Sequence, residues 1–193
     1  MNKIERTINK ILRKKGYAII KLKEGLTRDS TKFAKKYFGN KKLNIAEIGV
    51  FEGTNANNLL KELNINKIYL IDPYEIKLWE GYSDAIINAE KKAHRLLKHY
   101  KNKIIWIKNS SEKAISRIKE NLDFVYIDGN HQYEYVKKDI ESYWRILKKG
   151  GILAGNDTQI PDVSRAFWEF VIKNKLNKKK FYYTDEDWWI LKN

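Results

Sequence analysis

From Leu43 onward the sequence alternates short apolar runs with amphipathic stretches, and this rhythm limits the folds that the chain can adopt. The runs are LNIAEIGV, KIYLID, IIWIKN, DFVYID and GGILAGND. Strands that alternate with helices predict an α/β fold of right-handed βαβ units, with a mostly parallel, doubly wound sheet covered on both faces. The final stretch, KFYYTDEDWWILKN, breaks the rhythm and predicts two β runs that form a closing hairpin around an acidic turn.

Three amphipathic stretches carry apolar residues at helical spacing. Gly150-Gly151 follows the second stripe as a stop signal, and Pro161 suits the first turn of the third helix. The stripes are Ile86, Ala89, Ala93, Leu96 and Tyr100; Val136, Ile140, Tyr143, Trp144 and Leu147; and Val163, Ala166, Phe167, Phe170 and Val171.

The positive charge of the chain is concentrated near its N-terminus. Residues 1–43 hold 14 Lys or Arg and 3 acidic residues, in a chain whose net charge is +15 at pH 7. We therefore divide the chain into a basic helical extension, residues 1–42, and a domain of residues 43–193. Three interpretations of the extension remain open: a cationic helix packed on the domain or on a second subunit, an arm that recruits an anionic substrate or lipid surface, and an RNA-binding segment.

Two short helices are predicted in this extension. The first has an apolar stripe and is followed by the extended run YAIIKL; the second should bury three aromatic side chains and end at Gly39. The first stripe is Ile4, Ile8, Ile11 and Leu12, and the second helix runs from about Asp29 to Phe38, with Phe33, Tyr37 and Phe38 expected inside.

The composition indicates a single globular domain with a real core. Of the 193 residues, 42% are hydrophobic, and none is cysteine, which excludes disulfides and thiolate zinc sites. No apolar run reaches the ~18 residues of a membrane-spanning helix, and the N-terminus lacks the apolar core of a secretory signal. We therefore expect a cytoplasmic protein.

Polar and acidic residues follow the apolar runs, where ligands bind in open α/β sheets. The first turn has the pattern E-x-G-x-x-x-G at Glu47, Gly49 and Gly53, in which an acid would repel a pyrophosphate but suit an ammonium or sulfonium. Asp72 ends the second run and could accept the hydroxyls of an adenosine-type ribose. The alternatives are a tight structural turn for the glycines and a helix-dipole partner for Asp72.

The run FVYI ends at Asp128 and is followed by His131, one of three histidines. An imidazole at this edge could accept a proton from a hydroxyl near neutral pH, whereas the alternative is a residue that caps the next helix or orders the loop. His94 and His99 fall in a predicted helix and are expected on the surface.

These residues in this order resemble class I S-adenosylmethionine-dependent methyltransferases, and more closely the group called methyltransferase family 24. The resemblance covers residues 43–193 and rests on the segment IDGNHQYEYVKKDIESYWRILKKGGILAGND. It implies a Rossmann-like sheet of seven strands in which the C-terminal strand is antiparallel.

The resemblance also implies roles for the residues at the strand ends. Glu47, Gly49 and Gly53 would line the methionine part of the cofactor, and Asp72 would hold the ribose. Ser110 and Ser111 would lie by the adenine, and Asp128 by the reacting methyl group.

Metal-dependent relatives bind magnesium with an acid after the fourth strand and an acid–amide pair after the fifth. The matching positions are Asp128, Asn156 and Asp157. The sequence departs from the family pattern at Asn130, where a second acid is common, and in the order of Asn156 and Asp157. Three oxygen ligands remain, a set that suits a hard cation with several waters.

We expect methyl transfer from S-adenosylmethionine to a hydroxyl of a small or sugar-containing acceptor, with His131 and Asp128 in the catalytic centre and magnesium as a candidate second cofactor. An anionic or glycosylated acceptor and a homo-oligomer are both compatible with the sequence. The alternatives are an RNA methyltransferase that uses the basic extension, and a non-catalytic domain that binds a cofactor or nucleic acid.

Overall fold

The computed structural model describes residues 27–75 and 83–193, except for the side chains of residues 83–87. The strands are β1 (Leu43–Ile48), β2 (Ile65–Ile71), β3 (Ile104–Ile107), β4 (Leu122–Ile127), β5 (Leu147–Gly155), β6 (Phe181–Tyr183) and β7 (Trp188–Leu191). The helices are α1 (Asp29–Phe38), α2 (Thr54–Glu62), α3 (Ser83–Leu96), α4 (Ser111–Ala114), α5 (Tyr133–Ile146) and α6 (Pro161–Lys173), with 3₁₀ turns at Lys98–Tyr100 and Ile115–Arg117.

The seven strands form one sheet in the order β3-β2-β1-β4-β5-β7-β6. β1 pairs in parallel with both β2 and β4, whereas β7 runs antiparallel to β5 and to β6. The predicted fold class and the antiparallel C-terminal strand are thus confirmed. Strand order reverses between β1 and β4, and a crevice opens at the carboxyl ends of the strands on either side of such a switch point.

The sheet is covered on both faces, which explains why its central strands read as continuous apolar runs. All six residues of β4 are buried. Val125 and Ile127 pack with the buried side chains of α5 and α6, whereas Phe124 and Tyr126 pack with those of α1, α2 and α3. Each face therefore has its own hydrophobic layer.

The helical stripes are confirmed with a few corrections. All five predicted residues of α6 are buried and Pro161 begins the helix. In the second stripe, Leu147 was wrongly placed, because α5 ends at Ile146 and Leu147 has the extended backbone that begins β5. Gly150-Gly151 therefore lies within a strand and does not end the helix.

Two side chains expected in the core are instead exposed. Leu96 is 41% exposed while Leu97 is buried, because Leu97 continues the i, i+4 line of the buried residues Ala89 and Ala93 and its N–H still donates to the Ala93 carbonyl at 3.0 Å. Tyr37 is 48% exposed, because α1 packs on the domain through its small residues Ser30, Thr31 and Ala34.

The helix α1 confirms the predicted bounds and packs on the sheet. Its Phe33 ring contacts Trp189, with centroids 5.5 Å apart. The buried carboxylate of Asp187 accepts hydrogen bonds from Ser30 N (3.1 Å), Ser30 Oγ (2.6 Å) and the Tyr126 hydroxyl (3.0 Å). This carboxylate therefore joins α1, β4 and the β6–β7 turn. The domain boundary at residue 42 stays a prediction.

Some predictions lie outside the described residues. These are the first helix with its stripe, the run YAIIKL and the Ile86 side chain. Among the helices that are described, none is long and apolar enough to cross a bilayer.

The Asp187 contact yields a stability prediction. Ser30→Ala should lower the free energy of unfolding by about 1–3 kcal/mol, because it removes a buried hydrogen bond to a charged group. Thr31→Val is the matched control: Thr31 Oγ1 is buried beside it and has no hydrogen-bond partner among the described residues. Urea denaturation of both variants measures the difference, and equal losses would contradict the assigned role of Ser30.

Candidate active site

A cavity of about 880 Å³ lies at the carboxyl ends of the parallel strands. Of the residues predicted at the site, it is lined by Glu47, Gly49, Asp72, Ser110, Ser111, Asp128 and His131. Gly53, Asn156 and Asp157 are not among its lining residues. The cavity is acidic, with Arg28 as the single lysine or arginine among the described lining residues against Glu47, Glu52, Asp72, Asp128, Asp139, Asp162 and Glu186.

The two predicted glycines are needed for different structural reasons. Gly49 has φ +82°, and a Cβ there would lie 1.9 Å from the carbonyl oxygen of Asp128, so only glycine lets the loops after β1 and β4 meet. Gly53 has φ +81° and caps α2, where a Cβ would be 3.2 Å from Ala93 and Leu97. Gly53 therefore serves the turn and the contact with α3.

Glu47 is buried at the end of β1 and half of its carboxyl group has no partner. Its Oε1 accepts a hydrogen bond from Asn55 Nδ2 (2.9 Å), while Oε2 has no partner among the described residues. Burial raises the pKa of Glu47 to about 8, and the nearby carboxylates of Asp128 and Asp72 add to the rise. An incoming cation would therefore favour the ionised form.

Asn55 is a site residue that the sequence analysis missed. It lies in the first turn of α2, lines the cavity and directs its Nδ2 to Glu47, while its Oδ1 is buried without a partner among the described residues. Glu47 and Asn55 thus offer two free acceptors to a ligand that carries N–H donors. A polar residue in the first turn after the glycine loop was the signal available in the sequence.

Asp72 lies at the end of β2 and holds the loop after β1. Its Oδ2 accepts from the backbone N–H groups of Val50 and Phe51, both at 2.9 Å, and its Oδ1 accepts from that of Tyr74 at 2.8 Å. A carboxylate offers about four acceptor positions, so part of its capacity remains for a ligand hydroxyl. Phe51 and Tyr74 both have left-handed backbones, with φ of 48° and 47°, a conformation that non-glycine residues adopt at a cost.

The second residue that the sequence analysis missed is an acid near the predicted adenine residues. Asp139 of α5 is buried, lines the cavity and is hydrogen-bonded by the Ser111 side chain, and its burial raises its pKa to about 6. Tyr143 donates its hydroxyl proton to the Ser111 carbonyl (2.9 Å), which ties α5 to the start of α4. The signal for Asp139 was an acid on the apolar face of a predicted helix.

Asp128, His131 and Asp157 converge at the ends of β4 and β5. One potential ligand atom from each lies within 4.8 Å of the others. His131 Nε2 lies 2.8 Å from Asp157 Oδ2, within ion-pair distance but without the alignment of a hydrogen bond. The close carboxylate raises the pKa of His131, and the imidazole lowers the pKa of Asp157. Burial and the charge of Asp157 raise the pKa of Asp128 to about 6.

Arg28, just before α1, is the third residue that the sequence analysis missed. Its guanidinium lines the cavity, and its Nη1 lies 3.3 Å from Glu186 Oε2. Its charge favours the ionised forms of both acids, Asp128 and Asp157, which offsets part of the rise in the pKa of Asp128 and adds to the fall in the pKa of Asp157. Sequence periodicity gave no signal for it, because Arg28 meets residues that lie between 100 (Asp128) and 158 (Glu186) positions away in the sequence.

The predicted metal ligands meet at one point, but they already have partners. The Asn156 side chain hydrogen-bonds to Asp128, and Asp157 contacts His131 and also accepts from Gln159 Nε2 at 3.2 Å. Burial, followed by the charge of Asp157, keeps the pKa of Asp128 above its usual range. Two carboxylates and an amide oxygen thus fit a divalent cation in donor type and charge.

The histidines outside this group lie on the surface, as predicted. His94 and His99 are exposed, and the His94 ring stacks on Trp106 with centroids 4.0 Å apart. The cavity thus has His131 as its one described histidine.

The chain matches known proteins over most of the sheet. The sequence model of a family described as "Methyltransferase domain" matches residues 46–158. The uncharacterized protein R132 of Acanthamoeba polyphaga mimivirus is 31% identical over 121 residues, which are 61% of this chain and 52% of that protein. The uncharacterized protein y4gI of Sinorhizobium fredii is 22% identical over 50% of this chain and 11% of its own length. The chain thus spans about half of the first relative and far less of the second.

Solved structures share the fold. An rRNA methylase from Streptococcus thermophilus superposes with a TM-score of 0.62 at 17% identity, covering 84% of this chain and 93% of that chain. A Streptococcus mutans protein described as a methyltransferase, in complex with SAH, gives 0.60 at 16% identity over 86% and 98%. A Staphylococcus aureus protein described as a caffeoyl-CoA O-methyltransferase gives 0.61 at 15% identity over 100% and 93%.

The family match extends from β1 to the loop after β5, and therefore includes every strand end that lines the cavity. It confirms the resemblance drawn from the glycine turn and the IDGNHQY segment. The chain belongs to the methyltransferase-domain family of the class I S-adenosylmethionine-dependent methyltransferases.

Proposed function

We propose that this methyltransferase acts on a hydroxyl of a small or sugar-containing molecule. The observation that carries the proposal is the His131–Asp157 pair, with Nε2 and Oδ2 2.8 Å apart, beside Asp128 at the cavity. An Asp-oriented imidazole is a group that can remove a hydroxyl proton. A screen of hydroxyl acceptors that detects S-adenosylhomocysteine tests it, and turnover restricted to nitrogen acceptors would refute it.

The cofactor would lie along the strand ends. Its ammonium would meet the free acceptors of Glu47 and Asn55, and its ribose would use the remaining capacity of Asp72. The adenine would lie by Ser110 and Ser111. The methyl group would face Asp128. Each of these side chains lines the same cavity, which supports the arrangement.

The transfer needs alignment and one proton acceptor. Asp157 would hold the Nε2–H of His131, leaving Nδ1 free to take the proton of the acceptor hydroxyl. The oxygen would then attack the methyl carbon as the sulfur–carbon bond breaks, which turns the sulfonium into a neutral thioether and leaves the proton on His131. Asp128, Asn156 and Asp157 would hold a magnesium ion, whose bound chemistry is to lower the pKa of the acceptor hydroxyl.

RNA is the second acceptor class that the comparisons suggest, because two fold neighbours are described as rRNA methylases. The described lining argues against it: its charged groups are acids apart from Arg28 and His131, and a polyanion would be repelled. The acidic cavity favours a neutral or cationic acceptor over a phosphorylated one.

Removal of the Glu47 charge tests the cofactor site. Glu47→Gln should weaken binding of S-adenosylhomocysteine by about 1–3 kcal/mol, the value of a hydrogen bond to a charged group. Because the pKa of Glu47 is about 8 in the free protein, parent affinity should rise from pH 6 to 8 and the variant should lose this dependence. Calorimetry measures both effects. The control is Glu52→Gln, since Glu52 pairs with Lys92 (2.6 Å); equal losses in the two variants would refute the assignment.

His131→Gln tests the base and keeps a hydrogen-bonding group. Turnover should fall roughly 10²–10⁴-fold with little change in cofactor affinity. A base must be neutral, and Asp157 raises the pKa of His131, so the parent rate should fall as pH drops through that raised value. The variant should lose this limb of the pH profile. A variant that turns over like the parent would leave His131 as a loop-ordering residue.

Chelation tests the metal. Excess chelator should abolish turnover, because the acceptor oxygen loses its Lewis acid, while calorimetric binding of S-adenosylhomocysteine stays nearly unchanged. Added Mg²⁺ should restore the rate in the parent but not in Asn156→Ala. Full activity in chelator would remove the metal from the mechanism and leave deprotonation to His131.

A further inference from the structure

The outer face of α6 and the strand β6 form an exposed apolar surface. Trp168 is 39% exposed, Ile172 follows it by one helical turn on the same face, and Tyr183 of β6 is 36% exposed. The Trp168 ring centroid lies 5.6 Å from that of Phe181 and 5.3 Å from that of Tyr183. These four side chains, here called the apolar strip, are therefore contiguous from the helix to the strand. Ile172, at 73%, is the most exposed large hydrophobic side chain among the described residues.

A lysine-rich loop borders the apolar strip. Residues 173–180, here called the lysine loop, read KNKLNKKK and lie between Ile172 and Phe181, with no acid in the loop or within three residues of either end. Lys173 pairs with Glu141 at 2.8 Å. The other four lysines have no acid within ion-pair distance among the described residues: Lys175, Lys178, Lys179 and Lys180.

The apolar strip runs along one edge of the domain, because β6 is the last strand in the order of the sheet. The lysine loop lies at the amino end of β6, where the Lys180 carbonyl accepts a hydrogen bond from the Leu191 N–H at 2.7 Å. At the other end of β6, the Tyr183 hydroxyl donates to the carbonyl of Thr158 at 2.7 Å, one residue after Asp157. The strip therefore extends from beside the His131–Asp157 pair to the opposite end of the sheet.

The chemistry of this surface favours one kind of partner over two others. A symmetric contact between two copies would bring four unpaired lysines from each copy into one interface, which like-charge repulsion opposes. Single-stranded nucleic acid needs ring faces that are open to bases. The rings of Trp168, Phe181 and Tyr183 instead pack on one another, and Ile172 has no ring. Tryptophan, tyrosine and aliphatic side chains next to lysines are typical of surfaces that bind the interface of an anionic bilayer.

We propose that the apolar strip and the lysine loop bind the surface of an anionic membrane. Ile172 and Trp168 would enter the boundary between headgroups and acyl chains, and the four unpaired lysines would meet the lipid phosphates. Since one end of the strip lies beside Thr158, the bound protein would hold its cavity close to the bilayer. Membrane binding of this kind goes beyond the methyl transfer proposed above and is independent of the acceptor.

Vesicle sedimentation with the full-length chain tests the role of the charge. The parent should bind vesicles of equimolar phosphatidylcholine and phosphatidylglycerol, and bind phosphatidylcholine vesicles much less. Neutralising three exposed lysines of the loop should lower the partition coefficient roughly fivefold per lysine, the effect of a basic residue near an anionic surface. The combined substitutions are Lys175→Gln, Lys178→Gln and Lys179→Gln.

The opposite edge of the sheet offers a control with the same net charge. Three exposed lysines precede β3, the strand at that edge, and have no acidic partner among the described residues. Their neutralisation should leave vesicle binding close to that of the parent. The substitutions are Lys98→Gln, Lys101→Gln and Lys103→Gln.

A second pair of variants tests the apolar part of the surface. Ile172→Ser should lower the partition coefficient several-fold, because the apolar area of the side chain no longer leaves water on binding. Leu96→Ser is the matched control, since Leu96 is also an exposed aliphatic residue near the end of a helix but lies on α3. It should bind vesicles like the parent. Circular dichroism of each variant confirms that it is folded.

Four outcomes would overturn membrane binding by this surface. Equal losses from the two lysine triples, or parent-like binding of Ile172→Ser, would assign vesicle binding to charge elsewhere, such as the basic residues of 1–43. Retention of short single-stranded RNA that depends on the three loop lysines, without vesicle binding, would make the partner a nucleic acid. A dimer in sedimentation velocity that Ile172→Ser dissociates would make it a second copy. Because no readout depends on methyl transfer, failure here would be distinct from failure of the proposed function.

Discussion

The loops after β1 and β4 meet backbone to backbone, and the arrangement of the site depends on this contact. Gly49 has no side chain, and this allows the close approach of the Asp128 carbonyl: a Cβ at Gly49 would lie only 1.9 Å from the Asp128 carbonyl oxygen. β1 and β4 are the central parallel pair, where strand order reverses. The contact therefore brings the carboxyl groups of Glu47 and Asp128 from two halves of the fold to one cavity, although 81 positions separate them in the sequence.

Bringing these buried carboxyl groups together is electrostatically unfavourable, and the folded protein does not fully neutralise them. Burial raises the pKa of Glu47, Asp128 and Asp139 because each carboxylate loses water without gaining a full counter-charge. Arg28 and His131 offset part of the charge. Buried carboxyl groups without a full counter-charge would be stabilised in their ionised form by a cationic ligand. S-adenosylmethionine, which carries a sulfonium and an ammonium group, is such a ligand.

The N-terminal extension is continuous with this site. The Asp187 carboxylate fixes α1 to β4 and to the β6–β7 turn through Ser30 and Tyr126, and α1 thereby places Arg28 at the cavity. A segment that looked like an appendage by composition thus supplies a cation to the catalytic end of the sheet.

The sequence by itself determined the elements and the edge at which chemistry could occur. Apolar runs and helical stripes report local burial, which is why α6, the strand ends at Asp72 and Asp128, and the loop position of His131 were all predicted. Tertiary structure decided the partners. Arg28 and the three amides that donate to Asp72 could not be predicted, because periodicity says which face of an element is buried but not which distant group packs against it. The exposure of Tyr37 and Leu96 was likewise decided by packing, because the face of each helix that meets the domain contains Ala34 and Leu97 and leaves these two side chains outside it.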